Sequence, residues 1–235
     1  MGEVYAVGVG PGSPRYMTDA VKEVILYSDI IIGYKYTLQT IERLLVNKEV
    51  YEITMQNQEE TYQKVAKTLG DKTCVIPFTG DVNFSESEVV DRLIEIFGEV
   101  RIIPGISSVQ VAAAKAGVPL DKSKIITMHV TTSIEEKKLE LQKALLDGHS
   151  VILVPRPWPK DPSKNFMQSE IAFYLKDHGF DTSKMKVRVF EFLTTDKETS
   201  FVGTVKDLEG KQFSDLSVMV FDQSKPESYI NFKTN

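Results

Sequence analysis

The stretch "AVGVGPGSPRYMT", residues 6–18, sets Gly8, Gly10 and Gly12 behind a short apolar run. Glycines at a strand exit let backbone come close to a ligand, and such loops commonly serve phosphate or dinucleotide binding. This one departs from both patterns. A dinucleotide turn needs G-x-G-x-x-G opening directly into a helix, whereas Ser13 stands at the third glycine's place and Pro11 removes a backbone donor. The G-K-[S/T] of a nucleotide phosphate loop is absent as well. A dinucleotide-dependent oxidoreductase is therefore disfavoured. Two more stretches share the theme. "FTGDVNFSE", residues 78–86, follows a strand with Gly80 and the carboxylate Asp81, and "IIPGISSVQVAAA", residues 102–114, follows one with Gly105 and the hydroxyls Ser107 and Ser108. Either alone reads as an ordinary turn with a serine cap. Three glycine-bearing exits on one edge of a parallel sheet read as a ligand site, because open α/β sheets bind ligands at their carboxyl ends.

Other chemistries find little support. Cys74 is the single cysteine, so it makes no internal disulfide, and "TCVIPF" reads as a buried strand in which it is a small core residue. The three histidines, His129, His149 and His178, lie far apart without partners at metal-ligand spacing, so no protein-bound metal is expected. A net charge of −5 offers no footprint for nucleic acid, and the acidity belongs to residues 1–115, with 11 Lys and Arg against 16 Asp and Glu. Runs such as "DIIIGY" are too short to span a membrane, and no leader pattern opens the chain, so a cytoplasmic protein is expected.

The elements that must position these turns alternate. Strand "EVYAVGVG" leads to a helix over "DAVKEVILYSD" capped by Thr18, then come strand "IIIGY", helix "LQTIERLLV", strand "EVYEI" and helix "QEETYQKVAKTLG". Strand "TCVIPF", helix "EVVDRLIEIFG", strand "VRIIPG" and helix "SSVQVAAAKAG" complete the first half. Such alternation implies a parallel sheet covered by helices on both faces. Gly117 and Pro119 mark the boundary, giving domains 1–117 and 118–235. The second half runs from strand "KIITMHV" through helix "IEEKKLELQKALLDG", strand "SVILVP" and helix "FMQSEIAFYLKDHGF". It ends in a hairpin, "KVRVFEFLT" and "TSFVGTV" joined by "TDKE", and a closing strand "LSVMVFDQ". Its sheet is expected to be mixed.

The order of motifs resembles the tetrapyrrole methylase family. "VGVGPGSPRYMT", "TGDVNF", "IPGISSVQVAAAKAGVPL" and "GTVKDL" before a terminal strand carry the likeness. "GYKYT" and the overall length look most like the branch that methylates carbon 5 of a cobalt-precorrin in cobalamin assembly. The resemblance implies two α/β domains, parallel sheet first and mixed sheet second, with an active-site cleft between them. It implies S-adenosyl-L-methionine as co-substrate, held by Val9, Asp81, Phe84, Ser107, Ser108, Pro155 and Phe190. An anionic tetrapyrrole would meet Gly10, Pro11, Gly12, Arg15, Lys35, His129 and Arg156, with Trp158 of "PRPWP" as a stacking contact, a dimer contact or plain packing. A homodimer, and a separate enzyme for methylation and decarboxylation at carbon 15, are also implied. Other family reactions, at another corrinoid position, on uroporphyrinogen or on a diphthine precursor, are the near alternatives.

Two departures from the family's wording stand out. Val82 replaces the proline of its G-D-P, and "TMHVTTS" keeps His129 but lacks the glycine and arginine of S-x-H-G-R. Methyl transfer from a sulfonium to an electron-rich ring carbon needs alignment and exclusion of water, and no catalytic triad or metal. The opening loop then reads as a flexible lip poor in side chains, over which a broad ring lies.

Overall fold

The computed structural model describes residues 2–84, 86–130, 133–156 and 166–223. The chain divides into two compact units, residues 1–108 and 109–235.

The first unit holds five parallel strands: β1 (Val4–Gly8), β2 (Ile30–Tyr34), β3 (Glu49–Ile53), β4 (Cys74–Phe78) and β5 (Arg101–Ile103), in the order β3-β2-β4-β1-β5. Side chains alternate across a strand, so each central strand feeds two cores. On one face Ala6, Ile30, Ile32 and Ile76 pack with Tyr62 and Val65 of α3 (Gln58–Thr68) and Leu93 of α4 (Ser87–Phe97). On the other, Val7, Ile31 and Val75 meet Val21 and Ile25 of α1 (Asp19–Tyr27) and Leu38 of α2 (Lys35–Thr40). Cys74 is fully buried, as its strand predicts, and burial pushes its thiol pKa up to about 12, which makes it inert. Edge strand β3 carries Glu49 and Glu52 outward, a charge pattern that discourages further pairing.

α1 starts where its cap requires: Val21 N–H donates to Thr18 Oγ1 at 3.3 Å. The helix expected over residues 38–46 is different. It begins earlier, at Lys35, and breaks after Thr40, where Ile41 leaves helical geometry (φ −106°, ψ 11°) and a separate 3-10 turn, Glu42–Leu44, follows. Thr37, Leu38 and Ile41 are buried on this short piece, so tertiary contact sets its register over local propensity.

α5 (Ser108–Ala116) starts at the last residue of the first unit, and the second unit holds the rest of it and a mixed sheet. Its strands are β6 (Ser123–Thr127), β7 (Ser150–Val154), β8 (Lys186–Glu191), β9 (Thr199–Thr204) and β10 (Ser217–Phe221), in the order β6-β7-β10-β8-β9. β6 and β7 are parallel, and β10 runs antiparallel to both β7 and β8, as β9 does to β8. The expected mixed sheet is present. α6 (Glu135–Leu146) and α7 (Gln168–Asp177) bury Leu141, Leu145, Ile171 and Leu175 with Val151, Leu153, Val189 and Met219. The strand expected to run through Glu191 to Thr194 stops at Glu191, because Phe192 (φ 49°) and Thr194 (φ 69°) turn left-handed to open the β8–β9 loop. Among the described residues no helix is long and apolar enough to cross a membrane.

Candidate functional site

β4, β1 and β5 are neighbours and parallel, so their carboxyl ends emerge side by side. The three glycines that follow or end them touch. A Cβ on Gly8 would overlap the carbonyl of Gly80 and the backbone of Gly105, and one on Gly105 would overlap the carbonyls of Gly80 and Gly8. Backbones pack here at distances that only glycine allows. The opening loop is also pinned: Gly10 N–H donates to the Gly80 carbonyl at 3.2 Å and Gly80 N–H donates back at 2.7 Å. Gly10 (φ 89°), Pro11 and Gly12 are buried, so the flexible lip expected from composition is in fact a fixed turn. Gly8 is needed for contact with the neighbouring turns, and Gly10 for its positive φ and close approach to Tyr16.

Asp81 sits in the middle of this arrangement. Its Oδ1 accepts from Gly105 N–H at 3.3 Å and from the backbone and side-chain nitrogens of Asn83 at 3.2 and 3.3 Å. Among the described residues Oδ2 accepts no hydrogen bond, so one oxygen of a half-buried carboxylate is left for a ligand's hydroxyl or ammonium group. Phe84 N–H closes the turn on the Asp81 carbonyl at 3.0 Å, leaving the Phe84 side chain half-buried. Val82 is 1% exposed within the α3–α4 core, so an apolar residue of another kind fills the place of the family's proline. Ser107, buried, and Ser108, the first residue of α5, lie beside the same turn: a Cβ on Gly80 would stand 3.9 Å from both backbones.

The structure thus gathers Asp81, Phe84, Ser107 and Ser108 with the glycine loop. Val9 joins them through backbone only: its N–H donates to the Phe78 carbonyl at 2.9 Å, and its side chain packs with Met17 and Val21. Lys35, exposed at the start of α2, is tied to the turn indirectly, through Thr37 Oγ1 at 3.1 Å from Thr79 Oγ1. Arg15 is exposed on a 3-10 turn, Pro14–Tyr16.

In the second unit the ends of β6, β7 and β8 and the start of β10 share one edge. His129, Pro155, Arg156 and Phe190 all lie there. Pro155, Arg156 and Phe190 are buried; Arg156 exchanges backbone hydrogen bonds with Phe166 at 3.4 and 3.3 Å. His129 is exposed, yet the surrounding protein is dense enough to desolvate its imidazolium. That burial holds its pKa below the ordinary value; Asp215 opposes the shift and Arg156 adds to it. Trp158 lies outside the described residues.

Three groups at these edges escape sequence reasoning. Asp215 stands before β10, and Gln168 Nε2, 1% exposed as a residue, donates to Ser217 Oγ at 2.6 Å. Glu86, half-buried at the start of α4, has its carboxyl pKa raised by burial to about 7 and lies near Tyr34 and Tyr62. None belongs to a motif; only the packing of distant strands and helices makes each of them notable.

Residues 3–209 match the family model for Tetrapyrrole (Corrin/Porphyrin) Methylases. The chain is a tetrapyrrole methylase. It is similar to the probable cobalt-precorrin-7 C(5)-methyltransferase of Methanocaldococcus jannaschii, at 28% identity over 93% of this chain and 97% of that one. It is also similar to the probable cobalt-factor III C(17)-methyltransferase of the same organism, at 24% identity over 98% and 94% of the two chains. The methylase fold matches the crystal structure of the methyltransferase CobJ with a TM-score of 0.73 at 18% identity, covering 94% of each chain. The relatives and the family are methyltransferases, and so is this enzyme.

Proposed function

We propose that this methylase transfers a methyl group from S-adenosyl-L-methionine to carbon 5 of cobalt-precorrin-7 in cobalamin biosynthesis. The observation that carries the position is the likeness to the C(5) relative, which runs over nearly the full length of both chains. The likeness to a C(17) enzyme at 24% identity makes that position the competing reading. The residues present suit the co-substrate. S-adenosyl-L-methionine offers hydroxyl and ammonium donors, and Asp81 has an acceptor oxygen to spare; Phe84 supplies an apolar surface and Ser107 and Ser108 small hydroxyls beside it. Bound there, the co-substrate supplies an electrophilic methyl group. The chain's own part is to bind, orient and exclude water, which accounts for a site built of packed backbone and one carboxylate. Pro155 and Phe190 are assigned to the co-substrate, and Lys35, His129 and Arg156 to the ring.

The test is anaerobic turnover of cobalt-precorrin-7 with methyl-13C co-substrate, with the product mapped by NMR. Label at carbon 5 is expected. Label at another carbon, or turnover only of cobalt-factor III, uroporphyrinogen or a diphthine precursor, overturns the assignment of position while leaving the methyltransferase itself in place.

A further inference from the structure

A tetrapyrrole intermediate carries acetate and propionate arms around its rim, and among the described residues the Asp81 and Ser107–Ser108 turns carry no cationic side chain to hold them. The first unit has a cavity of about 450 Å³ lined in part by Arg15 and Met17, which follow the glycines of the opening loop. Its floor is apolar, with Met17 5% and Ile41 1% exposed. Three cations from three separate segments surround it: Arg15 from the loop, Lys22 from α1 and Arg43 from the 3-10 turn after α2. Lys22 is engaged by Asp19 at 3.1 Å, whereas Arg15 and Arg43 make no ion pair among the described residues. Glu42 is the one carboxylate in the lining.

A guanidinium presents a planar fork that matches a carboxylate in a bidentate way, and an apolar floor suits the one or two methylenes that carry it. The volume lies in the range of small-molecule sites, large enough for such arms or for one pyrrole and too small for four linked pyrroles. We propose that this cavity anchors carboxylate arms of the tetrapyrrole, gripped by Arg15 and Arg43, while the macrocycle stays outside. The inference rests on the tetrapyrrole reading of the substrate and is independent of which ring carbon is methylated. The proposed grip is a uniform one, equally strong in the ground and transition states, and a uniform grip acts on KM and spares kcat.

Kinetics with whichever precorrin the wild-type enzyme turns over provide the test. Arg15→Ala with Arg43→Ala should raise KM tenfold or more, keep kcat within twofold and leave the affinity for S-adenosylhomocysteine unchanged. The corresponding lysine pair should recover part of the loss, and Lys67→Ala, on the exposed side of α3, should behave as wild type. An unchanged KM in the double alanine variant overturns the anchor even if carbon-5 methylation is confirmed. Turnover of a different ring overturns the carbon-5 reading, with the KM effect then measured on that ring. A second measurement does not depend on turnover. Porphobilinogen, a single pyrrole with one acetate and one propionate, is titrated into the full chain while arginine side-chain NMR signals are followed. Saturable shifts at Arg15 and Arg43 are expected; their absence at millimolar probe overturns the proposal.

Discussion

Asp81 Oδ1 holds the turn together, and among the described residues Oδ2 accepts no hydrogen bond, which is the basis for assigning the co-substrate to it. Asp81→Asn keeps an oxygen for Gly105 N–H but withdraws the charge, so it should weaken S-adenosylhomocysteine binding at least tenfold while shifting the melting temperature little. Calorimetry and a thermal melt check the two halves, and full affinity in the variant sinks the assigned role. Glu86 makes a separate prediction. Its unfolded carboxyl titrates near the ordinary 4.5, and burial beside Tyr34 and Tyr62 raises the folded value to about 7. Between those values the folded chain holds a proton that the unfolded chain gives up, so the contribution of Glu86 makes stability fall as pH rises through the window. Glu86→Gln should flatten that decline and be more stable than wild type at pH 8 by about 1–3 kcal/mol. Urea unfolding at pH 5 and pH 8 measures it; parallel losses in both proteins would refute it.

The three strand exits work as one element. Gly8, Gly80 and Gly105 sit on β1, after β4 and after β5, far apart in sequence, and their backbones interlock. Gly105→Ala drives a methyl group into two carbonyls that have no room to retreat, and should cost upwards of about 3 kcal/mol or abolish soluble expression. Gly148→Ala is the comparison. That glycine has φ 76° but nothing near its missing Cβ, so only left-handed strain is added, about 1 kcal/mol. Equal losses at the two sites, read from chemical denaturation, would mean that the interlock contributes nothing. The strands and long helices were legible because each carries its own local signal: "CVIPF" is apolar throughout, and Thr18 announces α1. The piece 35–44 was not legible, since its break at Ile41 follows from burying Thr37, Leu38 and Ile41 on a helix too short to choose its own register.

At the scale of the whole molecule, a co-substrate that binds only the folded enzyme must stabilise it. S-adenosylhomocysteine at 100 times its dissociation constant should add about 2.7 kcal/mol, read as a raised melting temperature, and NADH should add none. The opposite pattern would restore the oxidoreductase that Pro11 and Ser13 argue against. By itself the sequence determined the strand and helix order, the parallel and mixed sheets, and three glycine turns fit for a ligand. Residue period, caps and turn chemistry are local properties. Tertiary structure alone decided that Gly8, Gly80 and Gly105 meet, that Asp81 Oδ2 accepts no hydrogen bond among the described residues, that the protein around His129 lowers its pKa, and that Arg15 and Arg43 flank one cavity. Each of these depends on distance and burial between segments remote in the chain, quantities that arise only when strands take their places in a sheet and helices close over it.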